Sequence, residues 1–206
     1  MQTLEQIAQN VVTGEAEQVA SLTQQALDEN ATALDILDKG LVAGMTIVSE
    51  KFKSNEMFIP EVLVSAKAMK AGMELIKPLL AEANIEPKGK VVIGTIQGDL
   101  HDIGKNIVAM LLEGAGFEVV DLGADVPIDN FIQSAKKEEA DIVGMSALLT
   151  TTMVNMKAVI EGLDEKVKVM IGGAPVTQTF ADQIGAHGYA PDASDAIDLA
   201  IRLMAD

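Results

Sequence analysis

The sequence predicts an α/β fold in two parts: a four-helix bundle over residues 1–86, then a flavodoxin- or Rossmann-like five-stranded parallel sheet over residues 87–206. Three observations predict it. The first part holds no convincing strand and is rich in Ala, Leu, Met, Glu, Gln and Lys, all good helix formers. Asn84-Ile85-Glu86-Pro87-Lys88-Gly89 then reads as a linker. Beyond it, short apolar runs alternate with segments of helical period, the signature of βαβ units.

The elements follow in order. A short helix covers Leu4 to Val11, and Thr13 is placed to cap a second from about Glu15 to Leu27, where Val19, Leu22, Ala26 and Leu27 keep helical spacing. Asn30 breaks the chain. Leu34, Ile36, Leu37, Leu41, Met45, Ile47, Val48 and Phe52 mark a third helix ending at Lys53, before the polar Ser54-Asn55-Glu56. Pro60 suits the first turn of a fourth, which runs to about Ala83. Strands are expected at Lys90 to Ile96, Phe117 to Asp121, Asp141 to Ser146, Val167 to Gly172 and around Gly188-Tyr189. Five such strands fit the doubly wound order 2-1-3-4-5, whose switch point lies between strands one and three. The loops after those strands, with His101 and Ser146, would then face one another across the crevice.

Composition excludes several chemistries. The 206 residues are enough for one large or two small cores, and contain no cysteine and only two histidines. Disulfides, thiolate zinc sites, iron–sulfur clusters and a cysteine nucleophile are therefore ruled out. A metal here must bring most of its own ligands. The net charge of −16 opposes binding to nucleic acid or anionic membrane. The N-terminus has no signal-like pattern and no run is long enough to span a bilayer, so a cytoplasmic location is expected.

The segment Gly98-Asp99-Leu100-His101-Asp102-Ile103-Gly104-Lys105-Asn106 joins the first strand to its helix. It is not a phosphate loop. Five residues separate Gly98 from Gly104-Lys105, Asn106 stands where a magnesium-binding hydroxyl belongs, and no Gly-x-Gly-x-x-Gly run is present. Asp99 and His101 instead pair as an orienting carboxylate and a ligand, because a metal-binding imidazole usually donates its other N–H to an acceptor. Gly104 would allow close approach at the helix start. One imidazole cannot hold a labile ion, but it can hold a metal already seated in a macrocycle. His187 reads as a surface loop residue.

Asp99-x-His101-x-x-Gly104, Ser146-Ala147-Leu148 about 42 residues later, and then Gly172-Gly173 resemble the cobalamin-binding signature of corrinoid proteins and of the cobalamin module of methionine synthase. The resemblance implies that His101 is the lower axial cobalt ligand, with Asp99 hydrogen-bonded behind it and Ser146 extending the relay. Gly98, Leu100, Asp102, Ile103 and Gly104 would line the cofactor. Gly172 and Gly173 would leave room for the displaced nucleotide tail, with Leu148 and Thr150 on the wall; Thr150 could equally be a helix cap. Phe52, Ile59 and Val62 resemble the residues that cover the upper corrin face in methyl-carrying members, and apolar residues at helical spacing are also what a bundle core requires.

The implied function is that of a non-catalytic methyl carrier using cobalamin or a related corrinoid, with methylcobalamin as the loaded state. A substrate-specific methyltransferase would load it, and a second methyltransferase would pass the methyl to tetrahydrofolate or a thiol. A reductive activase would complete the system. The donor would be a methylated amine or betaine, and the hinge for uncovering the corrin would lie at Ile85 to Gly89. A mutase subunit shares the signature but needs a substrate barrel, and a cobalamin-dependent sensor needs an output domain; the sequence supplies neither.

Overall fold

The computed structural model describes residues 2–83 and 86–205. They form two compact units: Met1–Pro87 with Gly114–Gly116, and Lys88–Glu113 with Phe117–Asp206.

The first unit is helical. Helix α1 spans Gln2–Thr13 and α2 spans Ala16–Asp28. In α1, Leu4, Ile7, Ala8 and Val11 are buried, the i, i+3, i+4, i+7 stripe of a core-facing helix. The third helical run is continuous but not uniform. A turn of α-helix (α3, Ala33–Asp35) passes through a π-helical segment, Ile36–Val42, into α4, Ala43–Lys53. Helix α5, Ile59–Glu82, is the longest of the unit, and its first turn carries Pro60. Fully buried Ile7, Val11, Val19, Ile36, Leu41, Val48 and Ile76 belong to this unit.

The helix starts correct one expectation. Thr13 does not cap α2. It lies inside α1, and its hydroxyl turns back to the Gln9 and Asn10 carbonyls, which keeps it on the helix that precedes the turn. The residue before α2 is Glu15, with no side-chain cap. Capping hydroxyl chemistry is found at Thr32, whose Oγ1 accepts from Asp35 N at 3.0 Å. At the start of α5 the Glu61 carboxylate accepts the Phe58 N–H at 2.8 Å, satisfying one otherwise orphaned donor. Asn30 ends α2 in the left-handed region, φ 64°, which Asn tolerates better than most residues.

Thr23, in α2, is fully buried, and its hydroxyl has no hydrogen-bond partner among the described residues. A buried unsatisfied hydroxyl costs its desolvation without return, whereas a methyl of the same shape does not. Thr23→Val is expected to stabilise the protein by about 1 kcal/mol. The measurement is the urea midpoint, and a lower midpoint would contradict it.

The second unit alternates strands and helices: β1 Lys90–Thr95, α6 Ile103–Gly114, β2 Glu118–Asp121, α7 Ile128–Lys137, β3 Ile142–Ser146, α8 Thr150–Met153, α9 Met156–Gly162, β4 Lys168–Gly172, α10 Gln178–Ile184, β5 Gly188–Ala190 and α11 Ala193–Ala205. The order is β2-β1-β3-β4-β5 with every pairing parallel. Central β1 and β3 are buried on both faces, which is why they read as unbroken apolar runs without alternation. One core layer gathers Val92, Ile96, Phe131, Val143, Met145, Met156, Val159, Val169 and Ile171. The chain direction reverses its sideways progress between β1 and β3, so the loops after these strands open a crevice at the carboxyl edge. Asn84 and Ile85, and with Ile85 the start of the expected hinge, lie outside the described residues.

Candidate functional site

Loop 96–102 follows β1 and loop 147–149 follows β3, and the Asp99 carboxylate joins them. Its side chain is wholly excluded from solvent. Oδ1 lies 2.7 Å from His101 Nδ1 and accepts the His101 backbone N–H at 3.1 Å. Oδ2 accepts from Leu148 N at 2.7 Å, Leu149 N at 3.2 Å and the Thr152 hydroxyl at 3.0 Å.

Burial by itself would raise the Asp99 pKa. The hydrogen bonds from Leu148 N, from the His101 ring and backbone and from Thr152 outweigh it, and hold the carboxyl well below the usual carboxylate range. Asp99 is therefore an anion at neutral pH. An anion 2.7 Å from Nδ1 places the ring proton on Nδ1 and leaves the Nε2 lone pair free. The His101 side chain is 53% exposed, so that lone pair is accessible. The loop is held from below as well, since the Thr95 hydroxyl donates to the His101 carbonyl at 3.1 Å.

The surroundings are apolar. Leu100 and Ile103 are 75% and 68% exposed, and Leu148 and Leu149 just over 40%. Exposed large aliphatics on both loops of one crevice signify a bound group rather than a solvated surface. Gly104 opens the first turn of α6, and a Cβ there would meet nothing within 4 Å. Among the described residues no three His, Cys, Asp or Glu side chains gather to hold a metal ion. One accessible imidazole, oriented by a buried anion in a crevice that also exposes aliphatic side chains, could ligate a metal that brings its other ligands with it.

The structure changes the third member of the relay. Ser146 ends β3, pairs in register with Thr95 and Gly172, and accepts the Ile96 N–H through its carbonyl. Among the described residues no hydrogen bond joins it to Asp99; its backbone is committed to the ladder, and the chain turns toward Asp99 only after it. The hydroxyl that reaches Asp99 is that of Thr152, whose Oγ1 lies 3.0 Å from Asp99 Oδ2 and 3.0 Å from the Leu149 carbonyl oxygen. The sequence signal for Thr152 was the Thr150-Thr151-Thr152 run at a helix start, where a hydroxyl three residues past Leu149 returns to the loop.

The remaining expected residues fall as follows. Thr150 is exposed at the first position of α8, and Asp102 is half-buried, its carbonyl accepting the Asn106 N–H. Gly98 takes φ 89° and donates its N–H to Asp125 Oδ1 at 2.7 Å, a pairing between loops that sequence spacing does not reveal. Gly172 is the last residue of β4, its carbonyl accepting the Ala147 N–H, and Gly173 follows it against Ala147 in the loop after β3. Phe52, Ile59 and Val62 belong to the helical unit. Phe52 is half-buried in α4, Ile59 is 40% exposed at the start of α5, and Val62 is fully buried. His187 is exposed, as expected, yet tied down. Its Nδ1 accepts from Val169 N at 3.0 Å and its backbone N–H returns to the Val169 carbonyl at 2.8 Å, fastening the entry of β5 to β4. Partial desolvation of the ring, aided by the Lys168 charge, lowers its pKa and favours the neutral form.

Known proteins resemble this chain over nearly its whole length. A family described as the B12 binding domain matches residues 89–198, and a second of the same description matches residues 3–77. A corrinoid protein of Desulfitobacterium hafniense is 43% identical over 99% of this chain and 98% of its own length. Dimethylamine corrinoid protein 1 of Methanosarcina acetivorans is 47% identical over 98% of this chain and 97% of its own. Among solved structures, the methanol:cobalamin methyltransferase complex MtaBC of Methanosarcina barkeri matches with a TM-score of 0.89 at 35% identity, covering 99% of this chain and 80% of that one. The chain thus belongs to the B12-binding corrinoid proteins, which bind a corrinoid and carry methyl groups within methyltransferase systems.

Proposed function

We propose that His101 would hold the cobalt of this carrier's corrinoid, and that a methylated amine or betaine is the methyl donor. The observation that carries the ligand assignment is the 2.7 Å pairing of the buried Asp99 carboxylate with His101 Nδ1, which leaves Nε2 accessible. When bound, the corrinoid supplies the cobalt centre that accepts and gives up the methyl group.

The chain's own residues prepare that centre. Asp99 keeps the ring proton on Nδ1 and fixes the ring plane. Leu148 N, Leu149 N and Thr152 anchor the other carboxylate oxygen, so the anion stays fixed beside the His101 ring. Leu100, Ile103, Leu148 and Leu149 offer apolar surface and exclude water from the ligand face.

The amine reading is supported by the dimethylamine relative and by trimethylamine corrinoid protein 1 of the same organism, 47% identical over 88% of this chain. The further partners fit the same scheme: a second methyltransferase serving tetrahydrofolate or a thiol, and a reductive activase. Reconstitution with hydroxocobalamin tests the ligand assignment. The wild-type protein is expected to retain one corrinoid per chain through gel filtration with a nitrogen-ligated spectrum. His101→Ala is expected to lose that spectral signature, and an unchanged spectrum would refute the assignment. For the donor, methyl loading is compared using isolated methyltransferases for dimethylamine, trimethylamine, betaine and methanol. Loading by the methanol enzyme alone would refute the amine or betaine reading.

A further inference from the structure

The β2–α7 loop holds the segment that bears Asp99 and His101 in place, through one residue with an unusual backbone. Asp125 sits at φ 53°, in the left-handed region that L residues seldom occupy and that Asp and Asn visit most readily after glycine. It is exposed, so no packing demand explains that conformation. What the conformation does is aim two groups at one neighbour. The carboxylate Oδ1 accepts the Gly98 N–H at 2.7 Å, and the Asp125 N–H donates to the Asp99 carbonyl at 2.9 Å. The peptide groups on either side of the Gly98–Asp99 link, Gln97–Gly98 and Asp99–Leu100, are thereby both held by Asp125. Gly98 itself lies at φ 89°, so the grip acts where the chain bends out of β1.

The neighbouring hydrogen bonds make this loop a rigid support. Leu122 N donates to the Ile93 carbonyl, Thr95 N to the Gly123 carbonyl and Val126 N to the Thr95 carbonyl, at 2.8 to 3.0 Å, and Ile96 forms a parallel bridge with Val126. At the far end of the ligand segment, the buried Lys105 ammonium is held 2.6 Å from both oxygens of Asp121, the last residue of β2. The entry and exit of the segment are therefore fixed to the same strand and its following loop. Strained residues persist where their surroundings determine them, and they gather at functional sites.

From this geometry we infer that Asp125 is a positioning residue: it sets the backbone of Gly98 and Asp99 so that the Asp99–His101 pair is assembled before the corrinoid arrives. The inference rests on His101 being the ligand. It does not require Asp125 to touch the cofactor.

Three variants separate the roles of conformation and acceptor. Asp125→Asn keeps an oxygen acceptor and tolerates the left-handed backbone, so it is expected to match wild type. Asp125→Gly relieves the backbone but removes the acceptor, and Asp125→Ala removes the acceptor and adds strain. In the apoprotein, amide hydrogen exchange at Gly98 is expected to be at least about tenfold faster in D125G and D125A than in wild type and D125N. In the reconstituted proteins, the balance between His-ligated and His-free corrinoid is expected to shift about three- to tenfold toward the free form in D125G and D125A, and to be restored in D125N. This is at or below the range for groups that directly support a metal ligand. A D125G protein with wild-type Gly98 exchange and a wild-type spectrum overturns the inference. Should D125G not fold, the Gly98 amide of the wild-type apoprotein decides, since exchange at the rate of an open loop would overturn it. Absence of a nitrogen-ligated spectrum in wild type would refute the His101 assignment instead, and the Gly98 exchange would still report on the brace.

Discussion

Asp99→Asn is expected to fold and to bind the corrinoid, yet to lose most of its ligation by His101. The reason lies in the uneven load on the two carboxylate oxygens. Oδ2 receives three donors, from Leu148 N, Leu149 N and the Thr152 hydroxyl, while Oδ1 faces the His101 ring and backbone N–H. An asparagine has one acceptor oxygen, and three donors outweigh one ring and one amide. The oxygen therefore takes the Oδ2 position and the NH₂ turns toward His101.

That NH₂ then donates to Nδ1, which forces the ring proton onto Nε2, the nitrogen whose lone pair the proposed ligation needs. It also faces the His101 backbone N–H, donor against donor. The substitution keeps shape and volume while inverting the tautomer. His101 ligation is expected to weaken about 10- to 100-fold. Stability should fall by about 1–3 kcal/mol, because one backbone donor is left unsatisfied and the hydrogen bond to the ring is no longer charge-assisted. The spectrum of the reconstituted protein reads the first effect, and urea unfolding of the apoprotein the second. Full His101 ligation in D99N would mean that the carboxylate does not set the tautomer.

The relay also shows where sequence reasoning reached its limit. The strands were legible because a parallel sheet covered on both faces demands unbroken apolar runs, and Val91-Val92-Ile93 and Ile142-Val143 supply them. The strand order followed from the number and size of the βαβ units. Asp99 and His101 were legible as a pair because they are local, two residues apart on one loop. Thr152 was not, because its reach depends on how loop 147–149 bends after β3; by spacing alone Ser146 was as good a hydroxyl. Asp125 was invisible for a stronger reason. Its hydrogen bonds cross between two loops, and its backbone angle is a property of the folded chain. The π-helical turn at Ile36–Val42 escaped as well, since the apolar positions there fit an ordinary helix. Thr13 misled because a hydroxyl near a helix start can equally bond back to the helix before it.

Gly173→Ala is expected to be among the most damaging single substitutions in the sheet unit. Two independent costs meet there. The backbone has φ 119°, which L residues rarely adopt, and a Cβ would lie 1.9 Å from the Ala147 carbonyl oxygen. That oxygen cannot simply withdraw. Ala147 N donates to the Gly172 carbonyl, and the next residue, Leu148, gives its N–H to Asp99. Moving the Ala147 carbonyl outward would rotate the peptide that carries the Leu148 N–H and so loosen the Oδ2 side of Asp99. We expect a loss of about 3 kcal/mol or more in urea unfolding, together with weaker His101 ligation in whatever folds.

Gly104→Ala is the matched control. It adds the same methyl in the first turn of α6, where nothing stands within 4 Å. The apoprotein should be unchanged or slightly stabilised, by up to about 1 kcal/mol, because alanine is the better helix former. On the proposed placing of the corrinoid against the loop from Gly98 to Gly104, that methyl takes up cofactor room, so corrinoid affinity is expected to fall although stability does not. Equal stabilities for the two alanine variants would show that the loop after β4 adapts to a side chain. The steric coupling from Gly173 through Ala147 to Asp99 would then be absent.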